Sequence, residues 1–137
     1  SGTYAMCAAE LDGESVRVGC DLEAVGELKE NIAKRFFCPE EYDVIMREKT
    51  EEERAEQFYR YWVLKESFMK ATGKGMALPA DSFQIRLGTP PVLIRQPDEF
   101  PESYYYMEYR KAEIPYRMAV CSTDCRIDAE LNMEFRL

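Results

Sequence analysis

Histidine is missing from all 137 residues. Its absence removes imidazole metal ligation, imidazole-activated nucleophiles and imidazole acid–base catalysis from whatever the chain does by itself. Proton transfer is left to carboxylates, lysine, tyrosine, cysteine or water. An excess of basic residues is missing too. The 18 Lys and Arg against 26 Asp and Glu give a formal net charge of −8, which argues against nucleic acid as a partner. A phosphate ligand stays open, because local lysines and a divalent cation override the global sign. There is no run of about 18 apolar residues and no signal-peptide pattern, so the sequence predicts neither a membrane partner nor secretion. The five cysteines (Cys7, Cys20, Cys38, Cys121 and Cys125) are odd in number and lack the double pairing of a zinc site. Most stand in apolar runs, where a reduced thiol behaves as a small hydrophobe. The expectation is structural thiols in a reducing, cytoplasmic compartment. Cys121 and Cys125 are the pair best placed for an adventitious disulfide.

What is present suits one compact domain. Hydrophobic residues make up 46% of the chain and aromatics 12%, enough for a core at this length. Residues 3–10 and 15–20 read as two strands, with Asp12-Gly13 between them as a hairpin turn. Residues 26–37 follow as an amphipathic helix, with Leu28, Ile32 and Phe36 on one side. Pro39 suits the first turn of a second helix through about Lys49, with Glu40 and Glu41 near its N-terminus. Thr50 and Glu53 have capping-box spacing and open a long helix that Gly73 ends. Gly73-Lys74-Gly75 then reads as a loop. Segments 82–87, 92–95, 104–110, 117–121 and 131–135 are strand candidates punctuated by prolines. The fold class is α+β, an antiparallel sheet packed against a long helix.

Two acidic clusters carry the chemistry. Asp21 and Glu23 stand two apart at the end of the second predicted strand, so period-2 geometry points both carboxylates to one side. About 45 residues later, Trp62-Val63-Leu64-Lys65-Glu66-Ser67-Phe68-Met69-Lys70 lies on the long helix. On a helical wheel Tyr61, Leu64 and Phe68 group together, with Phe58, Trp62 and Met69 beside them, and Lys65 falls between the two sets. A lysine in an apolar stripe is costly unless paired, hydrogen-bonded or snorkelling. Glu66 sits at the stripe's edge, and Lys70 follows one turn later. Read alone, this is an ordinary helix with a surface Glu66–Lys70 pair. Combined with Asp21 and Glu23, three carboxylates and two ammonium groups would make a Mg²⁺ and phosphate site, since hard oxygen ligands suit Mg²⁺.

These residues resemble the 4′-phosphopantetheinyl transferase superfamily. Gly19-Cys20-Asp21 and Trp62–Lys70 match both halves of its motif at the family's spacing. The likeness continues through Gly73-Lys74-Gly75, Leu78-Pro79 and Asp81-Ser82-Phe83 to Tyr116-Arg117-Met118-Ala119-Val120-Cys121, so it covers essentially the whole chain. It is nearest to the Sfp-type subfamily, whose members are two similar halves in tandem.

The resemblance implies the family fold and a reaction: Mg²⁺-dependent transfer of 4′-phosphopantetheine from coenzyme A to a serine of an apo acyl or peptidyl carrier protein. Asp21, Glu23 and Glu66 match the metal-coordinating carboxylates, and Lys65 and Lys70 match lysines that contact the coenzyme A phosphates. Glu66, or a metal-held water, is the implied general base, and Lys70 the proton donor to the leaving 3′,5′-ADP. Sfp-type enzymes carry an N-terminal half and a Ser-His-Ser-like segment just before this region, and the chain begins at Ser1-Gly2-Thr3, where that segment ends. Ser1 and Gly2 are therefore implied on the coenzyme A side. Residues 1–137 read as the C-terminal half, with the N-terminal half as a missing partner. The alternatives are a half-enzyme that only binds Mg²⁺, coenzyme A or carrier, and a single-unit trimeric member of holo-ACP-synthase type. The family receives its carrier after the Asp-x-Glu strand, here 25–37, where Lys29, Lys34, Arg35 and either Phe36 or Phe37 are candidates. The tyrosines Tyr104, Tyr105, Tyr106 and Tyr109 are expected to alternate between core and surface.

Overall fold

The computed structural model describes residues 16–130. The expected strands at 3–10 and 131–135 and the turn at Asp12-Gly13 lie outside them. Within them the order is β1 (Val18–Ala24), α1 (Glu30–Phe36), α2 (Pro39–Arg47), α3 (Glu51–Thr72), β2 (Gln84–Arg86), β3 (Val92–Arg95), β4 (Tyr105–Tyr109) and β5 (Tyr116–Ser122). Two short 3-10 turns follow α3: Gly75–Ala77 opens at the last residue of the expected loop, and Ala80–Ser82 takes the first residue of the expected strand at 82–87. No helix among the described residues is long and apolar enough to cross a membrane.

Local chemistry sets the boundaries of α3. Thr50 caps it by accepting from the Glu53 N–H at 3.1 Å, and Glu51, Glu52 and Glu53 favour the positive end of the helix. At the other end Gly73 takes φ +82°, a left-handed turn that glycine enters without strain. In α2, Pro39 occupies the first turn, and the Glu41 carboxylate accepts from the Cys38 N–H at 2.9 Å. That is the reciprocal half of a capping box. The first helix is shorter than expected. Residues 25–29 stay in a loop because Val25 donates to the Pro115 carbonyl at 2.8 Å and the Tyr59 hydroxyl donates to the Glu27 carbonyl at 2.9 Å.

The strands form two antiparallel sheets, β1-β5-β4 and β2-β3. In the larger sheet Asp21 pairs with Ala119 and Glu23 with Arg117, while Glu108 pairs with Ala119 on the other side of β5. Alternation along the strands sends one set of side chains to α3 and the other to the opposite face. Ala119, Cys121 and Tyr106 join the core built around α3. Leu22, Tyr109, Tyr116, Met118 and Val120 form a second apolar cluster behind the sheet. The expected alternation of the tyrosines appears as an exposed Tyr105 beside buried Tyr104 and Tyr106.

Helix α3 is buried around most of its circumference in its second half, more than a one-faced stripe predicts. Phe58, Tyr61, Val63, Leu64, Lys65 and Phe68 are all at 1% exposure or less. Burial of each such apolar side chain stabilises the fold by about 1.5–3 kcal/mol. Phe37 stacks on Phe58 at 5.5 Å between ring centroids, and Phe68 packs on Phe83 at 4.5 Å. The cysteines Cys20, Cys38, Cys121 and Cys125 are free thiols, so the Cys121–Cys125 disulfide is not formed.

Candidate active site

Gly19 brings the two acidic clusters together. A Cβ at Gly19 would lie 2.2 Å from the Ser67 carbonyl oxygen and 2.4 Å from the Ala71 nitrogen. Only glycine lets β1 approach α3 this closely, and that approach carries Asp21 and Glu23 to the helix face that bears Glu66 and Lys70.

The contact is made by an ion pair. The Lys70 Nζ donates to Asp21 Oδ1 at 2.8 Å, with the lysine side chain 48% exposed and the aspartate 9%. The other carboxylate oxygen, Asp21 Oδ2, is buried and has no hydrogen-bond partner among the described residues. Burial pushes the Asp21 carboxyl above its ordinary pKa, outweighing the attraction of Lys70. Half-buried Glu66 is raised as well, first by burial and then by the charges of Asp21 and Glu23. Burial works against the Lys70 ammonium, but its hydrogen bond and charge attraction to Asp21, with Glu66 adding, hold its pKa above the ordinary value. Asp21, Glu66 and Lys70 thus form one electrostatic unit with Glu23 at its edge.

A divalent cation fits this donor set in kind. An orphaned, buried carboxylate oxygen beside two more carboxylates has the hard-ligand chemistry of Mg²⁺, and Asp21, Glu23 and Glu66 are the residues that would hold it. Even so, no three Asp, Glu or Cys side chains among the described residues converge as a ready-made metal cage.

Lys65, expected to meet a phosphate, stands in a buried ion pair at the cavity wall. Its ammonium lies 2.8 Å from Glu41 Oε1 and donates to the carbonyls of Ala80 and Phe83, the latter at 2.8 Å. The residue is 1% exposed. Burial lowers its pKa and the Glu41 charge opposes that shift. What accounts for a lysine in the apolar stripe is a buried carboxylate on α2. Glu41 also accepts from the Cys38 and Ile85 N–H groups, at 2.9 and 2.8 Å, and so ties α2, α3 and β2 together. From the sequence Glu41 is legible only as a favourable charge near a helix N-terminus. Its signal was the three-residue spacing from Cys38 together with an unexplained lysine in the stripe.

Beside this unit lies a cavity of about 340 Å³ whose walls include Phe36, Trp62, Met69, Met76 and Leu78 together with Glu66. On α1 and just before it, Lys29, Lys34 and Arg35 are exposed. Phe36 is 50% exposed, whereas Phe37 is in the core at 4%. Of the two phenylalanines, only Phe36 is available to a partner. Ser1 and Gly2 lie outside the described residues.

Residues 17–121 match the model of the 4′-phosphopantetheinyl transferase superfamily. The chain belongs to that superfamily. It is 36% identical to 4′-phosphopantetheinyl transferase Sfp of Bacillus subtilis over 97% of its own length and 57% of that protein's. It is 38% identical to a second Bacillus subtilis 4′-phosphopantetheinyl transferase over 89% of its length and 52% of that protein's. The chain therefore spans about half the length of the curated relatives it matches. Among solved structures it is similar to a Bacillus anthracis holo-(acyl-carrier-protein) synthase crystallised in complex with CoA (3′,5′-ADP). That match has a TM-score of 0.64 at 17% identity and covers 77% of this chain and 93% of the other. At that identity the likeness bears on the fold, which is the α+β arrangement of a sheet on a long helix.

Proposed function

We propose that the chain carries the catalytic carboxylates and the phosphate-binding lysine of a 4′-phosphopantetheinyl transfer from coenzyme A to a serine hydroxyl of an apo carrier protein. The observation that carries this reading is the juxtaposition of Asp21, with its unpartnered oxygen, with Lys70 at 2.8 Å and with Glu66 within electrostatic reach. A bound Mg²⁺ would neutralise charge on the pyrophosphate oxygens.

The chain's own residues supply the rest. Glu66 takes the proton of the carrier serine as its oxygen attacks the β-phosphorus of coenzyme A. The bond between that phosphorus and the bridging oxygen breaks, and 3′,5′-ADP leaves. Lys70 holds the phosphates and gives the leaving oxygen a proton. The apolar cavity that shares Glu66 receives the pantetheine arm. Lys29, Lys34, Arg35 and Phe36 offer a basic, partly apolar face to an acidic carrier helix.

Weighing an apo carrier by mass spectrometry after incubation with this chain, coenzyme A and Mg²⁺ tests the reading. The expected gain is one phosphopantetheine, lost in Glu66→Gln and Asp21→Asn. Full activity in both variants would sink the assignment. A second reading is favoured by the span of about half of the relatives' length. In it the chain binds metal, coenzyme A or carrier without turnover, and the transfer appears only when an N-terminal half is added.

A further inference from the structure

We propose that Lys70 is the resident counter-ion of the carboxylate cluster, that a divalent cation must displace it, and that coenzyme A couples to the metal by giving the displaced ammonium another anion to hold. This rests on the metal-site reading above and adds how the site regulates its own loading.

The first support is that Lys70 already does part of a cation's work. Its ammonium meets Asp21 Oδ1 at 2.8 Å, and it is the only cation paired with Asp21 among the described residues. Asp21, Glu23 and Glu66 act on one another as like charges, and a positive charge among them relieves that repulsion. The second support is asymmetry. Asp21 is fixed in the β1–α3 contact with 9% of its side chain exposed, while 48% of the Lys70 side chain faces solvent. The aspartate cannot leave, and the lysine can. A four-carbon stem with a compact, hydrated charge is flexible, and its half-exposed ammonium can be taken up by water when it lets go. The third support is that the carboxylates do not stand at metal-cage spacing. One of them is closed on an ammonium.

An arriving dication therefore meets a positive charge on the ligand that would hold it most tightly. With no phosphate present, Lys70 has nowhere better to go, and the metal alone binds poorly. With the pyrophosphate of coenzyme A present, the ammonium transfers to it and frees Asp21. Metal and coenzyme A then raise each other's affinity by the same factor, as linkage requires.

Direct binding of Mn²⁺, followed by the loss of its free-ion electron paramagnetic resonance signal, tests this without any turnover. The full chain is compared with Lys70→Gln, Lys70→Arg and Asp21→Asn, each checked for a native thermal transition. Without coenzyme A, Lys70→Gln is expected to bind Mn²⁺ about tenfold more tightly than the parent, a typical coupling. Lys70→Arg stays near the parent, and Asp21→Asn loses binding. Adding coenzyme A is expected to tighten Mn²⁺ several-fold in the parent and less in Lys70→Gln. Equal or weaker binding by Lys70→Gln, with Asp21→Asn still deficient, overturns the displacement and leaves the metal site standing. An equal coenzyme A effect in the parent and Lys70→Gln, or none in either, overturns the coupling. If Asp21→Asn binds as the parent does, or nothing binds, the metal-site reading fails and takes this proposal with it.

Discussion

Lys65 and Lys70 stand little more than one turn apart on α3, and each has a carboxylate oxygen at 2.8 Å. The Lys65–Glu41 side chains are 2% and 1% exposed, the Lys70–Asp21 side chains 48% and 9%. The inner pair is closed: Glu41 has two backbone N–H donors besides the lysine, and Lys65 has two carbonyl acceptors besides the glutamate. In the outer pair Asp21 keeps a buried oxygen with no partner among the described residues. A satisfied buried pair resists exchange, because exchange would strand a charge in the core. An under-satisfied pair with one mobile member is poised for another ligand. One helix thus bears a structural cation and an exchangeable one, separated by the depth at which each is set.

The largest effect expected from this contrast is on stability. Glu41→Ala leaves the Lys65 ammonium buried without its counter-charge, and loss of one partner of such a pair costs about 3–5 kcal/mol. Lys70→Ala should cost less, about 1 kcal/mol, since the lysine is the half-exposed member of its pair and water can take its place beside Asp21. Urea unfolding of the two variants and the parent measures both. Equal losses would mean that the pairs are equivalent and that the division into structural and exchangeable cations is mistaken.

Gly19→Ala probes whether the two ends are independent. The added methyl would meet the Ser67 carbonyl and the Ala71 nitrogen, and forced overpacking of this kind costs about 1–3 kcal/mol. The strand must move off the helix, carrying Asp21 away from Lys70 and Glu66. Lys65, held by α2 and the loop after α3, should keep its environment. Amide hydrogen exchange would show this as faster exchange along 18–24 with residues 38–41 unchanged. Uniform acceleration across both regions would tie the two ends into one cooperative unit.

How much of this was legible in the sequence follows the same division between local and distant causes. Thr50, Glu53 and Gly73 mark the ends of α3 from within three residues, and the structure starts and stops the helix there. The strand at 92–95 is likewise marked by the prolines before and after it. The length of α1 was not legible, because Tyr59 and Pro115 hold residues 25–29 in a loop from far along the chain. At the site, the two-residue spacing of Asp21 and Glu23 and the helical spacing of Glu66 and Lys70 were readable. The choice of protein partner was not: Lys65 pairs with Glu41, 24 residues earlier, and Lys70 with Asp21 instead of Glu66. A wheel shows that a charge needs a partner without showing which element brings one.

The smallest expected effect concerns Glu66, which belongs to the exchangeable end. Burial, then the charges of Asp21 and Glu23, raise its carboxyl above its ordinary 4.5, with Lys70 opposing. Between that ordinary value and the raised one, the folded protein holds a proton that the unfolded chain has released. The native state then binds more protons than the unfolded state, so stability falls as pH rises through this window. Above it the ionised Glu66 remains a net cost. Glu66→Gln removes the titration and should make the neutral-pH fold more stable by about 0.5 kcal/mol or less, because the half-exposed group is screened by solvent. Near pH 4 the variant and the parent should converge. Denaturant unfolding across pH 4–8 measures the difference. The gain in stability should accompany loss of transfer, as expected where a carboxylate is kept charged against its surroundings for a ligand that is absent from the free protein. If Glu66→Gln were destabilised at neutral pH, the Glu66 carboxylate would already be satisfied within the fold, and the outer cluster would be as closed as the Lys65–Glu41 pair.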